Sequence, residues 1–289
     1  MAAQRPVAGV AGLTPATARV GRDGALSLRV ERRGPRSVLA GCRWTMPLQV
    51  LAPMALDDPA AIVSMLNPTG GLVGGDRLAI DVAVGAGAHA CLTTPSATKV
   101  YRTCSEPVEQ AVRLTLAPQA RLEWIPDHTI PFAGAALRQR LEADVGEGAT
   151  LLLVDAFAAG RVARGEAWRF ALLDSTLSVR DAGGWLLHDR LVLREGAPGP
   201  GLGLAEDRPY VATVVVIADV GLAAFADDVA ALDDGDYDID VGAALLPRRG
   251  ALVRCLAADA PALVRTVDAV WAFARRRVLG LPALALRKP

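Results

Sequence analysis

The stretch LAIDVAVGAGAHACLTT, residues 78–94, determines how the rest of the chain is interpreted. In its first seven residues, apolar side chains alternate with polar or small ones, which is typical of a β-strand with one buried face. A corner of small residues at 85–88 then leads into a second apolar run at 89–94. The stretch therefore predicts two strands joined by a tight corner.

The same arrangement recurs twice farther along the chain. Alternating runs at 112–116 and 141–145 end in small-residue corners, and new apolar runs follow at 121–126 and 150–157. The alanines that close the three corners, Ala88, Ala120 and Ala149, are 32 and 29 residues apart. Such a spacing indicates supersecondary units that stack and bury their apolar faces on one another. We predict a mainly β fold, a β-helix-like helical stack of strands; the alternative is that ordinary antiparallel strands reuse glycine corners.

The later part of the chain predicts a mixture of strands, one loop and two helices. Residues 181–184 have the composition of a hairpin turn, and the Gly- and Pro-rich segment 195–209 predicts an exposed loop. A β-branched run at 211–217 predicts a strand, and apolar residues at helical spacing over 222–232 predict a short helix.

Asp259 is placed to cap a longer second helix near the C-terminus. The apolar residues of this helix form one stripe: Leu263, Val264, Val267, Val270, Trp271, Ala274 and Val278. The charged residues predicted on the opposite face are Arg265, Asp268, Arg275 and Arg276. The stripe either packs on the sheet or forms a partner surface.

Composition excludes several classes of protein. The 289 residues are 52% hydrophobic, which is incompatible with intrinsic disorder, and they carry 31 basic and 31 acidic side chains. The zero net charge and the 4% aromatic content argue against a nucleic-acid binder. Neither a signal peptide nor a membrane span is predicted, and the four widely spaced cysteines indicate reduced thiols in the cytoplasm.

The segment NPTGGLVGGD, Asn67 to Asp76, has four glycines within six residues. A dinucleotide fingerprint needs a helix after its glycines, and a P-loop needs Lys and Ser or Thr. Here Asp76 and a predicted strand follow instead, so both nucleotide interpretations fail. We expect positive φ angles or a close approach to another chain segment, with Asp76 held by backbone amides.

Taken together, these segments resemble the UreD (UreH) family of urease accessory proteins. The blocks that carry the resemblance are Asn67 to Asp76, Asp81, Leu92 to Arg102, Arg121 to Pro126, and Asp155 with Gly160, Arg161, Gly165 and Glu166. Their order and spacing agree with the family over roughly residue 26 to the C-terminus. The chain departs from the family pattern at Asp127-His128 and at Ala133.

The resemblance implies a single domain over residues 1–289, with residues 1–24 a flexible N-terminus, and a helical stack of strands with two helices. It also implies a non-enzymatic chaperone that binds urease apoprotein and UreF, and through UreF the GTPase UreG. No cofactor is expected to be permanently bound. Nickel would pass in transit through an internal polar tunnel, and no membrane or nucleic acid would take part.

A tunnel of this kind needs weak ligands in series, because a closed site would trap the ion. The carboxylates inside or beside the resembling blocks are the candidates: Asp76, Asp81, Glu123, Asp155 and Glu166. Each has an ordinary alternative as a corner or surface carboxylate with local hydrogen bonds. Glu166 is expected at the start of a strand over 167–173, facing the interior, with an ion pair to Arg161 or Arg164 as the alternative.

Two histidines are further candidates. His128 is able to replace a family acid as a metal ligand. His89 and Cys91 lie two apart on a predicted strand and so share a face, which suits either a metal pair or a buried thiol beside a hydrogen-bonded imidazole.

Partner contacts are expected along the C-terminal helix, at Val267, Trp271 and Arg275, and over residues 242–255, where the resemblance places UreF. The competing function is a carbohydrate-active enzyme on a β-helical scaffold that uses paired carboxylates, Asp76 with Asp81 or Asp155 with Glu166. The scarcity of aromatic residues for sugar stacking disfavours this alternative.

Overall fold

A computed structural model describes residues 22–195, 201–232 and 238–286, without the side chains of residues 202 and 204. These residues form seventeen strands and two α-helices. The first strands are β1 Asp23–Arg33, β2 Arg36–Thr45, β3 Gln49–Val50, β4 Ala61–Leu66, β5 Arg77–Val84, β6 His89–Thr93, β7 Thr98–Val100, β8 Val108–Leu116 and β9 Arg121–Ile125. The later elements are β10 Thr129–Pro131, β11 Ala136–Val145, β12 Thr150–Ala158, β13 Leu172–Asp181, β14 Gly184–Arg194, β15 Tyr210–Ile217, α1 Leu222–Ala230, β16 Ile239–Leu245, β17 Gly250–Ala257 and α2 Ala260–Ala274.

The strands form two sheets. Sheet 1 has the order β14-β13-β11-β8-β5-β1-β2, and sheet 2 has the order β16-β17-β15-β12-β9-β6-β4-β3, with β7 and β10 attached beside it. Successive turns of the chain contribute parallel neighbours, β5, β8 and β11 to sheet 1 and β6, β9 and β12 to sheet 2. The predicted helical stack of strands is therefore confirmed.

The three corner alanines show why the stack repeats. Ala88, Ala120 and Ala149 are all fully buried. The amide of Arg121 donates to the carbonyl of Ala88 at 2.8 Å, and the amide of Thr150 donates to the carbonyl of Ala120 at 2.8 Å. A small side chain lets each corner lie directly on the next. The spacing of the alanines in the sequence therefore equals the number of residues in one turn of the stack.

Two hydrophobic cores hold the layers together. One fills the space between the sheets, and the other lies between the outer face of sheet 2 and the two helices. The N-cap of α2 is confirmed, because Asp259 Oδ1 accepts a hydrogen bond from the amide of Ala262 at 2.7 Å. The hairpin is confirmed too, since Asp181 pairs with Gly184 between β13 and β14.

The structure differs from the sequence expectations at three places. Strand β1 begins at Asp23, within the segment expected to be flexible, while residues 1–21 lie outside the described residues. Within 195–209, residues 196–200 are likewise outside them, and Gly201–Ala205 forms a π-helical turn that buries Ala205. The strand expected over 167–173 is wrong, because β13 begins only at Leu172. In the described part of the chain, no helix is long and apolar enough to cross a membrane.

Candidate functional site

The glycine-rich segment between β4 and β5 is fixed by its approach to the chain at residues 99–101. The amide of Leu72 donates to the carbonyl of Lys99 at 2.8 Å, and the amide of Tyr101 donates back to Leu72 at 2.8 Å. A Cβ atom on Gly71 would lie 2.6 Å from the Tyr101 ring. The expected close approach is confirmed, and Gly70 and Gly75 have the expected positive φ angles.

Asp76 ends this segment and is buried. Its Oδ2 accepts a hydrogen bond from the amide of Val73 at 2.9 Å, as expected for a carboxylate held by backbone amides, whereas Oδ1 is buried without a hydrogen-bond partner. Burial raises the pKa of Asp76, and the Val73 amide offsets part of that effect. The side chain therefore serves the turn before β5.

Between the two sheets lies a cavity of about 270 Å³. Its walls come from Leu78, Gln110 and Gln139 of sheet 1, from Trp124 and Asp155 of sheet 2, and from the segments 70–72 and 94–99, with Asn67 and Asp127. Residues of four blocks quoted above thus face one internal space. The volume far exceeds the roughly 10–15 Å³ that a single water needs.

Asp155 is the carboxylate of the predicted set that lines this cavity. Gln139 Nε2 donates to its Oδ1 at 2.8 Å, and the Ser175 hydroxyl donates to its Oδ2 at 2.9 Å. Gln110 Nε2 continues this series of hydrogen bonds by donating to Gln139 Oε1 at 3.3 Å. Burial raises the pKa of Asp155, because these two neutral donors compensate only part of the lost hydration.

In Glu123, by contrast, both carboxylate oxygens already have hydrogen-bond and ion-pair partners. Arg275 Nη1 lies 2.6 and 2.8 Å from its two oxygens, Trp271 Nε1 donates at 2.6 Å, and His89 Nε2 lies 2.7 Å away. Burial opposes ionisation of Glu123, but His89 and Arg275 outweigh it and hold its pKa below the usual value. Its two oxygens are already engaged, so Glu123 attaches the end of α2 to sheet 2, and a metal role for it stays a prediction.

The main correction in the C-terminal helix concerns Arg275, which directly follows α2 as its C-cap residue and begins the π-helical turn Arg275–Leu279. The sequence pattern placed it on the exposed face, whereas its side chain is 0% exposed and also pairs with Asp58. Val264 shows the reverse error, since this member of the expected buried stripe is exposed. Trp271 and Val267 are buried against sheet 2 with the rest of the stripe, so contacts by these residues with UreF stay a prediction.

Two more candidates lie away from the cavity. The Asp81 side chain is 57% exposed on the outer face of sheet 1, 3.8 Å from Arg113. Glu166 makes a two-pronged ion pair with Arg161, at 2.7 and 2.5 Å, and the hydrogen bond from Arg161 lowers the pKa of Glu166. Glu166 therefore takes the ion-pair alternative and does not sit at a strand entrance.

The histidines are placed apart. His128 follows β9 and lines a second cavity of about 650 Å³ beside α2, where its ring meets that of Tyr210. His89 belongs to the Glu123 cluster, and Cys91 is buried in the core beneath the helices. Across the ranges that the structure covers, no group of three His, Cys, Asp or Glu residues is arranged to hold a metal ion.

Gln110, Gln139 and Ser175 are site residues that the sequence reasoning missed. A signal for them exists, because Gln110 and Gln139 interrupt alternating apolar positions, Val108-Gln110-Val112 and Leu137-Gln139-Leu141. A polar side chain at an inward position must find a partner or a hydrated space.

Comparison with known proteins agrees with the resemblance. The sequence model of the family described as UreD urease accessory protein matches residues 22–289. A urease accessory protein UreD of Anaeromyxobacter sp. is 33% identical over 93% of this chain and 89% of that protein. The UreD of Klebsiella aerogenes is 34% identical over 90% of this chain and 93% of its own length, and that of Alkalilimnicola ehrlichii is 34% identical over 91% and 89%.

Proposed function

Because the chain belongs to the UreD family of urease accessory proteins, we propose that it is a scaffold for urease apoprotein, UreF and UreG that passes nickel to the urease active site through the cavity between its sheets. Membership of this family makes the chain an accessory protein and not an enzyme. The carbohydrate-active alternative is thereby overturned. Its proposed carboxylate pairs also have separate partners, Asp81 facing Arg113 and Glu166 facing Arg161.

The observation that carries the proposal is the lining of the cavity. The segments 70–72 and 94–99 belong to two blocks by which the chain resembles its family, and both face the internal space that Asp155 also faces. Residues 72 and 94 are 22 positions apart in the sequence, and the pairing of Leu72 with Lys99 brings the two segments to one space. If these blocks act in nickel transit, their side chains have to border the same internal space.

The chemistry of the wall suits a moving cation. Nickel(II) binds oxygen ligands, and the wall offers one carboxylate at Asp155, amide oxygens at Gln110 and Gln139, and a second acid at Asp127. Asp155, Gln139 and Gln110 form one hydrogen-bonded chain along the wall, and no cluster of three His, Cys, Asp or Glu residues occurs among the residues described by the structure. A hydrated ion would therefore exchange one oxygen for another without being trapped.

Asp155 is the residue on which the proposal is tested. Urease would be produced together with UreF, UreG and this protein, in wild-type form, as Asp155→Asn, or as the matched control Asp81→Asn on the outer face. We expect Asp155→Asn to lower the nickel content and activity of urease while the complex with UreF still forms. We expect Asp81→Asn to leave both unchanged, because its carboxylate does not face the cavity.

The outcomes separate transit from scaffolding. Normal nickel content with Asp155→Asn would refute the cavity route and leave the scaffold role standing. Loss of the complex would show that Asp155 is structural. Deleting the whole protein is expected to leave urease assembled but largely without nickel, as measured by metal analysis of urease from the deletion strain; normal nickel content there would end the proposed function itself.

A further inference from the structure

Strand β2 lies at one edge of sheet 1 and has an open side. Its ten residues pair with β1 along one side. Among the residues that the structure describes, no strand pairs with the other side, where the sheet order ends. An open edge of this length presents unpaired main-chain groups and is a template for another strand unless charges or covering segments block it.

The inward face of β2 is apolar and incompletely covered. Leu39, Cys42 and Trp44 pair with the buried residues Val30, Leu28 and Leu26 of β1, and of the three Leu39 packs against the core between the sheets. Yet Trp44 is 44% exposed, and Met46 just beyond the strand is exposed too. Within the described ranges, therefore, no strand covers the apolar side chains at this end of β2.

The outward side of this edge carries a concentrated positive charge. Residues 23–45 contain five arginines against two acidic residues, although the chain as a whole has no net charge. Arg33 and Arg36 lie directly opposite each other at the end of the β1–β2 hairpin, an unfavourable pairing of like charges. Arg29 pairs with Glu31, whereas Arg36 and Arg43 have no acidic partner in the described ranges.

We propose that β2 binds an extended, acidic segment of a partner protein as an added strand, in which apolar residues alternate with Asp or Glu. Main-chain hydrogen bonds would complete the open side of β2. The apolar residues of the added strand would lie over Leu39 and Trp44. Its carboxylates would lie beside Arg36 and Arg43 and relieve the repulsion at Arg33.

The positive charge of β2 argues against a second copy of this chain as the partner that binds its open side. Two β2 strands paired edge to edge would bring two arginine-rich hairpins into one interface with no added carboxylates. Like charges brought together in this way are destabilising. An acidic strand is complementary where a second copy is not.

The proposal is tested with peptides of the same length as β2. The probe is an acetylated ten-residue peptide of alternating valine and glutamate, and its counterpart alternates valine and lysine. Binding to the full chain is measured by calorimetry at low and high salt. We expect the glutamate peptide to bind, more weakly as salt rises, and the lysine peptide not to bind.

Charge-reversal variants provide the more specific part of the experiment. The double variant Arg36→Glu with Arg43→Glu is expected to bind the glutamate peptide about tenfold more weakly or not at all. It should gain affinity for the lysine peptide. Arg194→Glu, on the edge strand β14 at the opposite end of sheet 1, is the matched control and should change neither affinity. If the double variant does not fold, Arg43→Glu alone, opposite Ser27, carries the same test with a smaller effect.

Hydrogen exchange of the β2 amides locates the binding. We expect open-side amides to exchange fast in the free chain and to slow when the glutamate peptide is bound. No binding by wild type, or equal binding by the double variant, would overturn the proposal. Slow exchange in the free chain would overturn it as well, because another part of this chain or a second copy would then already cover the edge.

Discussion

Replacing Arg275 with methionine tests what fastens the C-terminal helix to the sheet. Arg275 and Glu123 are both 0% exposed, and Asp58 on the other side of the guanidinium is almost as buried. Methionine keeps most of the aliphatic stem but removes the charge, so two buried carboxylates would lose their counter-ion. The hydrogen bond from Arg275 Nε to the carbonyl of Pro282, at 2.8 Å, would be lost too.

The magnitude follows from this burial. Removing one partner of a buried ion pair costs about 3–5 kcal/mol, a large share of the roughly 5–15 kcal/mol that stabilises a typical domain. At roughly 2–4 °C per kcal/mol for a large domain, the melting temperature should fall by on the order of 10 °C. Both effects should be largest near neutral pH, because the pKa of Glu123 is held below its usual value and its carboxylate is ionised there.

Thermal unfolding at pH 7, followed by circular dichroism, is the assay. Arg276→Met is the matched control, because Arg276 is next in sequence but 56% exposed, and it pairs with Asp228 at 2.8 Å. An exposed pair of this kind contributes roughly 0–1 kcal/mol. The double variant Arg275→Met with Glu123→Gln should recover part of the loss, since it also removes one buried charge. If Arg275→Met melts like Arg276→Met, the cluster does not hold α2.

The remaining predictions concern the other carboxylates and the glycine-rich turn. Glu123→Gln should make the free energy of unfolding depend less on pH in the acid range. Burial opposes ionisation of Glu123, but its partners hold the pKa below its unfolded value. The stabilisation by ionised Glu123 is therefore present above about pH 4.5 and disappears as pH falls further. Melting curves between pH 7 and pH 3 check this, and identical curves for variant and wild type would contradict it. Glu166→Ala should leave nickel delivery to urease unchanged and lower the melting temperature slightly, because the ion pair with Arg161 is partly exposed; urease with reduced nickel would return Glu166 to the path. Gly71→Ala should destabilise the chain by about 1–3 kcal/mol, because its Cβ would meet the Tyr101 ring at 2.6 Å, and denaturant unfolding at the wild-type level would show that the turn can relax.

The strands could be predicted because their pattern is local. Alternation over residues 78–84 indicates one buried face, and small residues at 85–88 allow the corner, so both signals lie within a few residues of each other. The order of the strands within each sheet was not predicted, since it depends on pairing between turns of the stack. The three corner alanines indicated only that such turns stack, because corners that lie on one another must be small.

The burial of Arg275 could not be predicted in the same way. A helical pattern assigns a face by hydropathy, and an arginine is placed on the solvent side by default. Arg275 overrides this default because its charge is balanced by Glu123, which is 152 positions away in the sequence, and by Asp58, which is farther still. No local window contains both members of such a pair, so the sequence alone also offered Arg275 as a surface contact.

Glu123 and Asp155 show why membership of a resembling block could not decide which acid faces a metal path. Both lie on central strands of sheet 2, and both were candidates on equal terms. Burial opposes ionisation of Glu123, but His89 and then Arg275 hold its pKa below the usual value, and Arg275 contacts both oxygens, so a metal ion would have to displace Arg275. Asp155 meets only the amide of Gln139 and the hydroxyl of Ser175, so burial raises its pKa and its ionisation lowers stability as pH rises above its unfolded value. A carboxylate that lacks a full counter-charge and borders a cavity gains from an arriving cation, whereas one already neutralised by arginine does not. The difference lies in the partners that folding brings to each acid, and for this reason the proposed nickel route is tested at Asp155.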